Sequence, residues 1–430
     1  MTGSTFRKVA LAALAAAACG GGSATGADAG AVVVREAGTS DATLGDAASE
    51  AGKPDSGASD AGANASEACT RAAAPADRVR KIVVSHPFDA GGMPATDYEV
   101  LDLEVNGTIA TTGTHFQLHA TSGGRITFTP DGAVGLVAQD DGTLGVFAFD
   151  ASGNVHVVSA GLSPTYVSAV VMAPGGAHAY LLNDDWRNSG GGVYSAAIGC
   201  DGTVSSEGLV VPSRLPAGLV LLDGGTAFVA ATDFGSFVTD AGEDAGPLAL
   251  LVDWPAPATV LARTNPFGDT LAILSDVALT PDGRYALLAD DNAFSGIANR
   301  VAVVELASGG VNPAQVITPV TDPQSIVASP FDDTVIVTSG MGNAIYVLTY
   351  AAGPAPFSLA APLAYVGAPP QLPASAEVVR VGGLEGLVLV AENLGVRRLR
   401  FAAGGSVSDL GLTSLGTALT SIVGAIGVQP

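Results

Sequence analysis

The sequence predicts an all-β chain in which one four-stranded unit repeats around a closed ring. Three observations carry that prediction. First, short apolar segments recur and each stops at a turn: "RITFTPDG", "AVVMAPGG", "LVLLDGG", "DVALTPDG", "SIVASPFDD" and "AEVVRVGG". The turns end at Gly132, Gly176, Gly225, Gly283, Asp333 and Gly383, spaced by 44, 49, 58, 50 and 50 residues. Pro presets φ for such a turn, Asp accepts bonds from nearby backbone and Gly takes a positive φ. Second, 48% of residues are hydrophobic and 14% charged, with 56 glycines and 25 prolines. That mixture is too apolar for disorder throughout and too rich in turns for a helical protein. Third, the chain ends on "TSIVGAIGVQP", Thr420 to Pro430, a β-branched stretch with no partner strand after it.

Each unit then reads in order. After the turn comes a second strand, such as "AVGLVAQDD", "AHAYLLNDD", "TAFVAATDF", "RYALLADDN", "TVIVTSGMG" and "GLVLVAENLG". A third follows, such as "GVFAFDASG" or "RVAVVELASGG", and a weaker fourth, such as "NVHVV", closes the unit. The inner two strands are almost continuously apolar, as expected where both faces of a sheet are covered by neighbours. Four strands in such a period are the signature of a β-propeller.

Six units carry all four strands. A seventh is split. "RKIVVSHPF" from Arg80 reads as a second strand, "YEVLDLEVNG" from Tyr98 as a third and "TIATT" from Thr108 as a fourth. Its missing first strand is the orphan at the C-terminus, so the expectation is a seven-bladed propeller over residues 77–430, closed by that segment pairing with the N-terminal blade. Closure removes exposed sheet edges, and a monomer is expected. The PDG-type turns and second strands such as "LVLVAEN" resemble the seven-bladed YVTN and lactonase-like propeller family over about residues 76–430. The YVTN tetrapeptide itself is absent; "LVAEN" and "ALLADDN" approximate it.

The first residues read as an export address. Arg7 and Lys8 precede the apolar run "VALAALAAAA", too short to span a bilayer, which ends in small residues before Cys19. "AAACGGG" resembles the lipobox of bacterial lipoproteins, departing from it at Ala16, where the family usually has Leu. The resemblance implies a signal over residues 1–18, acyl chains on Cys19 and a stable membrane anchor; an ordinary secretory signal is the alternative. Residues 19–76 are dominated by Ala, Gly, Ser and Asp, with no aromatic, a composition expected to form a flexible tether. The expected location is the cell envelope, as an outer-membrane or periplasm-facing lipoprotein. In that oxidising compartment a disulfide between Cys69 and Cys200 is expected.

Eighteen Lys and Arg against 41 Asp and Glu give a net charge of −23, which argues against nucleic acid and anionic lipid as partners. No nucleophile elbow, P-loop, dinucleotide fingerprint, HExxH or CxxC is present. What remains is positional. Second strands end on the face conventionally called the top, and their ends are acidic or amide: Asp140 and Asp141, Asp184 and Asp185, Asp233, Asp290 with Asp291 and Asn292, Glu392 with Asn393. Asp141, Asp185, Asp291, Asn292, Glu392 and Asn393 are the candidate ligand or cation site, with calcium the divalent cation such oxygen ligands suit. The plainer reading is that Asp and Asn terminate strands and form turns. His86 is expected in the same set of loops, and "THFQLH" places His115 and His119 on the crossing between the first two blades; three imidazoles on one face could bind zinc or act as a base. Trp186 and Arg187 offer stacking and charge for a sugar or carboxylate. Two functions follow: a surface-anchored module binding a protein or small molecule through its top face, or the lactonase-like hydrolase that the resemblance implies, with a metal-assisted site in the funnel.

Overall fold

The computed structural model describes residues 68–158, 166–185, 190–222, 225–233, 246–254, 258–269, 272–291, 299–307, 310–351 and 353–430. The described residues form seven four-stranded antiparallel sheets, and successive innermost strands touch around a ring. Counting from the N-terminus, blades 2 to 7 have the innermost strands Ile126–Phe128, Val167–Met172, Pro216–Leu222, Leu274–Leu279, Pro323–Ala328 and Ala376–Val378. Blade 1 takes its innermost strand from the far end of the chain, Ile426–Val428.

The second strands explain the continuous apolar runs. Val134–Ala138, Tyr285–Asp290 and Leu387–Glu392 are buried at every residue, because each sheet is covered on both faces. Seven buried apolar clusters fill the interfaces, one between each pair of neighbouring blades. Each buried residue stabilises two blades at once. The turns follow the expected chemistry: Gly132 has φ +72°, its N–H donates to Thr129 O, and Asp131 Oδ1 accepts from Ala133 N and Thr129 Oγ1. In blade 7 the turn is longer, and Gly382 rather than Gly383 carries the positive φ.

The ring closes as the sequence implies, through a shorter strand than expected. Ile426, Gly427 and Val428 pair with Val84, Val83 and Ile82. Upstream of them, Leu419–Ser421 forms a 3-10 turn instead of strand. Gly427 is required there because any side chain would collide with the Ile126 carbonyl of blade 2. The rest of blade 1 also departs from expectation. Its third strand starts at Pro94 and its fourth runs Ile109–Gln117, so the apparent loop over 86–97 shrinks to a tight turn at 89–93.

The expected tether ran to residue 76, but residues 68–76 lie along the bottom face. Ala68 bridges Gly199, and the N–H groups of Cys69, Arg71 and Ala74 donate to Ile198 O, Gly175 O and Pro130 O. A disulfide joins Cys69 to Cys200, with Cα atoms 5.0 Å apart. The Arg71 side chain is buried and donates to Gly199 O at 2.6 Å. Further on, Arg78 reaches Gln429 and Pro430, and Asp77 accepts from Gly383 N. Polar backbone contacts hold this segment down, which its Ala- and Gly-rich composition did not advertise.

Candidate functional site

Glu392 and Asp290, which end the second strands of blades 7 and 5, are buried and paired with arginines. Glu392 accepts from Arg397 Nε and Nη2 at 3.0 and 3.1 Å, and Arg397 Nη1 donates to Asp409 at 2.6 Å; all three side chains are almost fully buried. Burial pushes the Glu392 carboxyl above its ordinary value, against the pull of Arg397. Blade 5 repeats the device, with Arg300 bridging Asp290 at 3.1 Å and Asp269 at 2.6 Å. Both guanidiniums lie over rings, Arg300 above Phe267 and Arg397 above Tyr365. A buried carboxylate at a strand end is stable only with such a partner.

One residue further along, the backbone repeats a single bond. The N–H groups of Asp140, Asp184, Asp291 and Asn393 donate to Thr121 O, Tyr166 O, Ile273 O and Gln371 O, in the connections that lead into each blade. The side chains then go separate ways. Asp141 accepts from Thr143 and from His119 Nδ1, and its carboxyl is held below the ordinary range: burial opposes this, but those hydrogen bonds outweigh it. Asp185 receives its structure from Asn183, whose Oδ1 accepts the Asp185 N–H at 2.7 Å. Asp291 accepts from Gln324 Nε2 at 2.8 Å, and Asn393 donates to Gln371 Oε1 at 3.2 Å. Among the described residues, no three His, Cys, Asp or Glu side chains converge so as to hold a metal ion. Cys19, Trp186, Arg187 and Asn292 lie outside the described residues, and of Asp233 only its place at the end of a strand is described.

On the axis stands a residue that inspection of the top loops misses. Arg125, just before the innermost strand of blade 2, lays its guanidinium across the channel onto Asp276 of blade 5, at 3.2 and 2.7 Å. It also donates to Ser325 Oγ and Ile326 O of blade 6 and to Ala376 O of blade 7. Asp276 in turn accepts from Ser325 Oγ and Ile326 N. Glu377 of blade 7 sits 4.0 Å from Arg125 Nε; burial raises its carboxyl, with Arg125 and Arg380 pulling the other way. A signal for this cluster exists in the sequence: Arg125, Asp276 and Ser325 each stand four residues before Thr129, Thr280 and Ser329, the first residue of their turns.

Of the histidines, one lies where expected, on the crossing between blades 1 and 2. His119 is in a connection and pairs with Asp141. His86 and His115 instead lie on strands of blade 1, their rings 6.2 Å apart. Cross-strand register puts His86 beside Asp97 and Glu99 beside His115 on the face toward blade 7. Two diagonal pairs result: His86 Nε2 with Glu99 Oε2 at 3.1 Å, and His115 Nδ1 donating to Asp97 Oδ2 at 2.9 Å. His86 Nδ1 donates to Ile422 O at 3.1 Å, tying the strand to the closing segment. Beside this grid a pocket of about 320 Å³ opens on the top face, with His86, Phe88, Asp97, Gln117 and Thr420 among its walls. Blade 1 and Thr420, on the segment that leads into the closing strand, build it.

No protein-family model and no curated protein matches this sequence. Solved structures match the fold. A candidate 6-phosphogluconolactonase from Bacteroides fragilis is 12% identical with a TM-score of 0.59, covering 83% of this chain and 99% of that one. The periplasmic gluconolactonase of Pseudomonas aeruginosa is 15% identical with a TM-score of 0.57, covering 82% and 99%. Sqt1 from Chaetomium thermophilum, bound to the N-terminus of ribosomal protein L10, is 13% identical with a TM-score of 0.50, covering 78% and 84%. At such identities the likeness defines a class, the seven-bladed β-propeller with lactonase-like structural neighbours, and fixes no activity within it.

Proposed function

We propose that this chain is an exported, membrane-anchored binding module that recognises its ligand on the top face of the propeller. The observation that supports this reading is the pocket at the closing seam of the ring, where blade 1 meets the segment that leads into the C-terminal strand. It is concave, of ligand-binding size, partly apolar, and edged by a few convergent polar groups. Acyl chains on Cys19 would hold the module to the envelope, and the chain enters the folded ring on the opposite, bottom face.

Lactone hydrolysis is the second reading, favoured by one specific observation. Glu377 beside Arg125 puts a carboxyl of raised proton affinity next to a guanidinium on the axis, the kind of environment active sites use. Against it stands the saturation of Arg125, four of whose partners are supplied by blades 5 to 7. A stabiliser already bonded to Asp276 is poorly placed to meet a developing oxyanion. A panel of neutral and phosphorylated lactones, assayed with and without EDTA, separates the two. The binding reading expects no turnover in either condition; turnover abolished by Glu377→Gln overturns it in favour of the hydrolase.

A further inference from the structure

Resting on the top-face binding reading, we infer that the seam pocket takes a small organic cation: a primary amine on a short apolar body. The walls divide in two. Phe88, Ala90, Pro94 and Ala95 give an apolar side, and Asp89 and Asp97 give carboxylates, with no Lys or Arg in the lining. The two imidazoles nearby do not offset both acids. His86 spends both nitrogens, donating to Ile422 O and meeting Glu99, so it offers no ring nitrogen to the pocket. His115 takes one oxygen of Asp97, and Asp97 keeps the other. Asp89 commits Oδ1 to the N–H groups of Gly91 and Met93, and its charge stays at the rim.

The pocket therefore offers acceptors and net negative charge beside an apolar wall. An ammonium meets Asp97 and Asp89 while its carbon chain lies against Phe88 and Pro94. A phosphorylated or carboxylate ligand would bring like charge to both acids, within the field of a chain of net charge −23. At about 320 Å³ the space suits a ligand of few heavy atoms.

The test is a calorimetric titration of the full chain with n-butylamine, with 1-butanol as the neutral isostere and sodium chloride as the ionic control. Three variants accompany it: Asp97→Asn, Thr96→Arg, which places a guanidinium in the pocket, and Asp282→Asn on the bottom face. Unliganded melting curves show whether each variant folds. The inference expects saturable butylamine binding, weakened at least tenfold by Asp97→Asn, abolished by Thr96→Arg and unchanged by Asp282→Asn. Equal binding of butanol and butylamine, both blocked by Thr96→Arg, overturns the cationic class and leaves the pocket as a binding site. Absence of any Thr96→Arg-sensitive binding overturns both the cationic class and the pocket.

Discussion

Replacing Arg125 by Met removes a side chain that joins blade 2 to blades 5, 6 and 7 across the axis. The geometry sets the magnitude. Asp276 is largely buried and loses two hydrogen bonds from a guanidinium, keeping the neutral donors Ser325 Oγ, Ile326 N and Val277 N. Breaking a buried pair from one side costs about 3–5 kcal/mol; Arg125 is about a third exposed, so solvent screening lowers this to about 2–3 kcal/mol. For a domain this large each kcal/mol moves Tm by about 2 °C, which gives a fall of about 4–6 °C by calorimetry. Arg125→Lys should recover only part of the loss, because a single ammonium cannot reproduce the paired contacts to Asp276. Pairing Arg125→Met with Asp276→Asn should cost less than the sum of the two. A melting temperature within 1 °C of the parent in Arg125→Met would refute the axial ion pair.

Four other outcomes follow from the same structure. Deleting residues 422–430 removes the buried side chains of Ile422, Val423 and Ile426, worth about 5–9 kcal/mol at about 1.5–3 each, and size-exclusion chromatography should show aggregation instead of a monomer. Reducing Cys69–Cys200, which spans 131 residues, should lower stability by about 3 kcal/mol in a urea melt, short of the chain-entropy value of about 5. Because burial raises the Glu377 carboxyl, the folded chain holds a proton that the unfolded chain releases, so this residue's contribution is fullest at low pH and is lost as pH rises. Glu377→Gln should therefore melt higher than the parent near pH 7.5, with the difference shrinking toward about pH 4. Calcium titrated at fixed ionic strength should shift Tm no more than sodium does, since Asp141 and Glu392 serve separate partners; a larger shift would restore the cation site.

Much of this fold is legible in the residues themselves. The turn sequences set the blade period because Pro, Asp and Gly each impose a local geometry, and a strand buried on both faces has to be apolar throughout, as "LVLVAE" is. The unpaired "TSIVGAIGVQP" announced ring closure for the same reason: a buried apolar strand needs a partner. Side-chain direction was harder to read. Glu392 ends its strand on the top, yet its carboxylate turns inward to Arg397, because sequence gives the residue's height in the blade and not the face it occupies. His86 looked like a loop residue because Pro87 and the "DAGGMP" run suggest a long break, where the structure has a tight turn; His115 looked like part of the crossing to blade 2 because the fourth strand runs on past "TIATT" to Gln117. Arg125 escaped notice for a different reason: its partners come from blades 5, 6 and 7, and only aligning the units on their turns brings those positions together.

The claim that the ligand site lies at the seam, and not on the axis, is open to one direct measurement. Hydrogen exchange of the full chain, with and without saturating n-butylamine, should show protection confined to residues 86–97, 115–118 and 419–426. Protection that appears instead around Arg125, Asp276 and Glu377 would move the site to the channel and contradict the account.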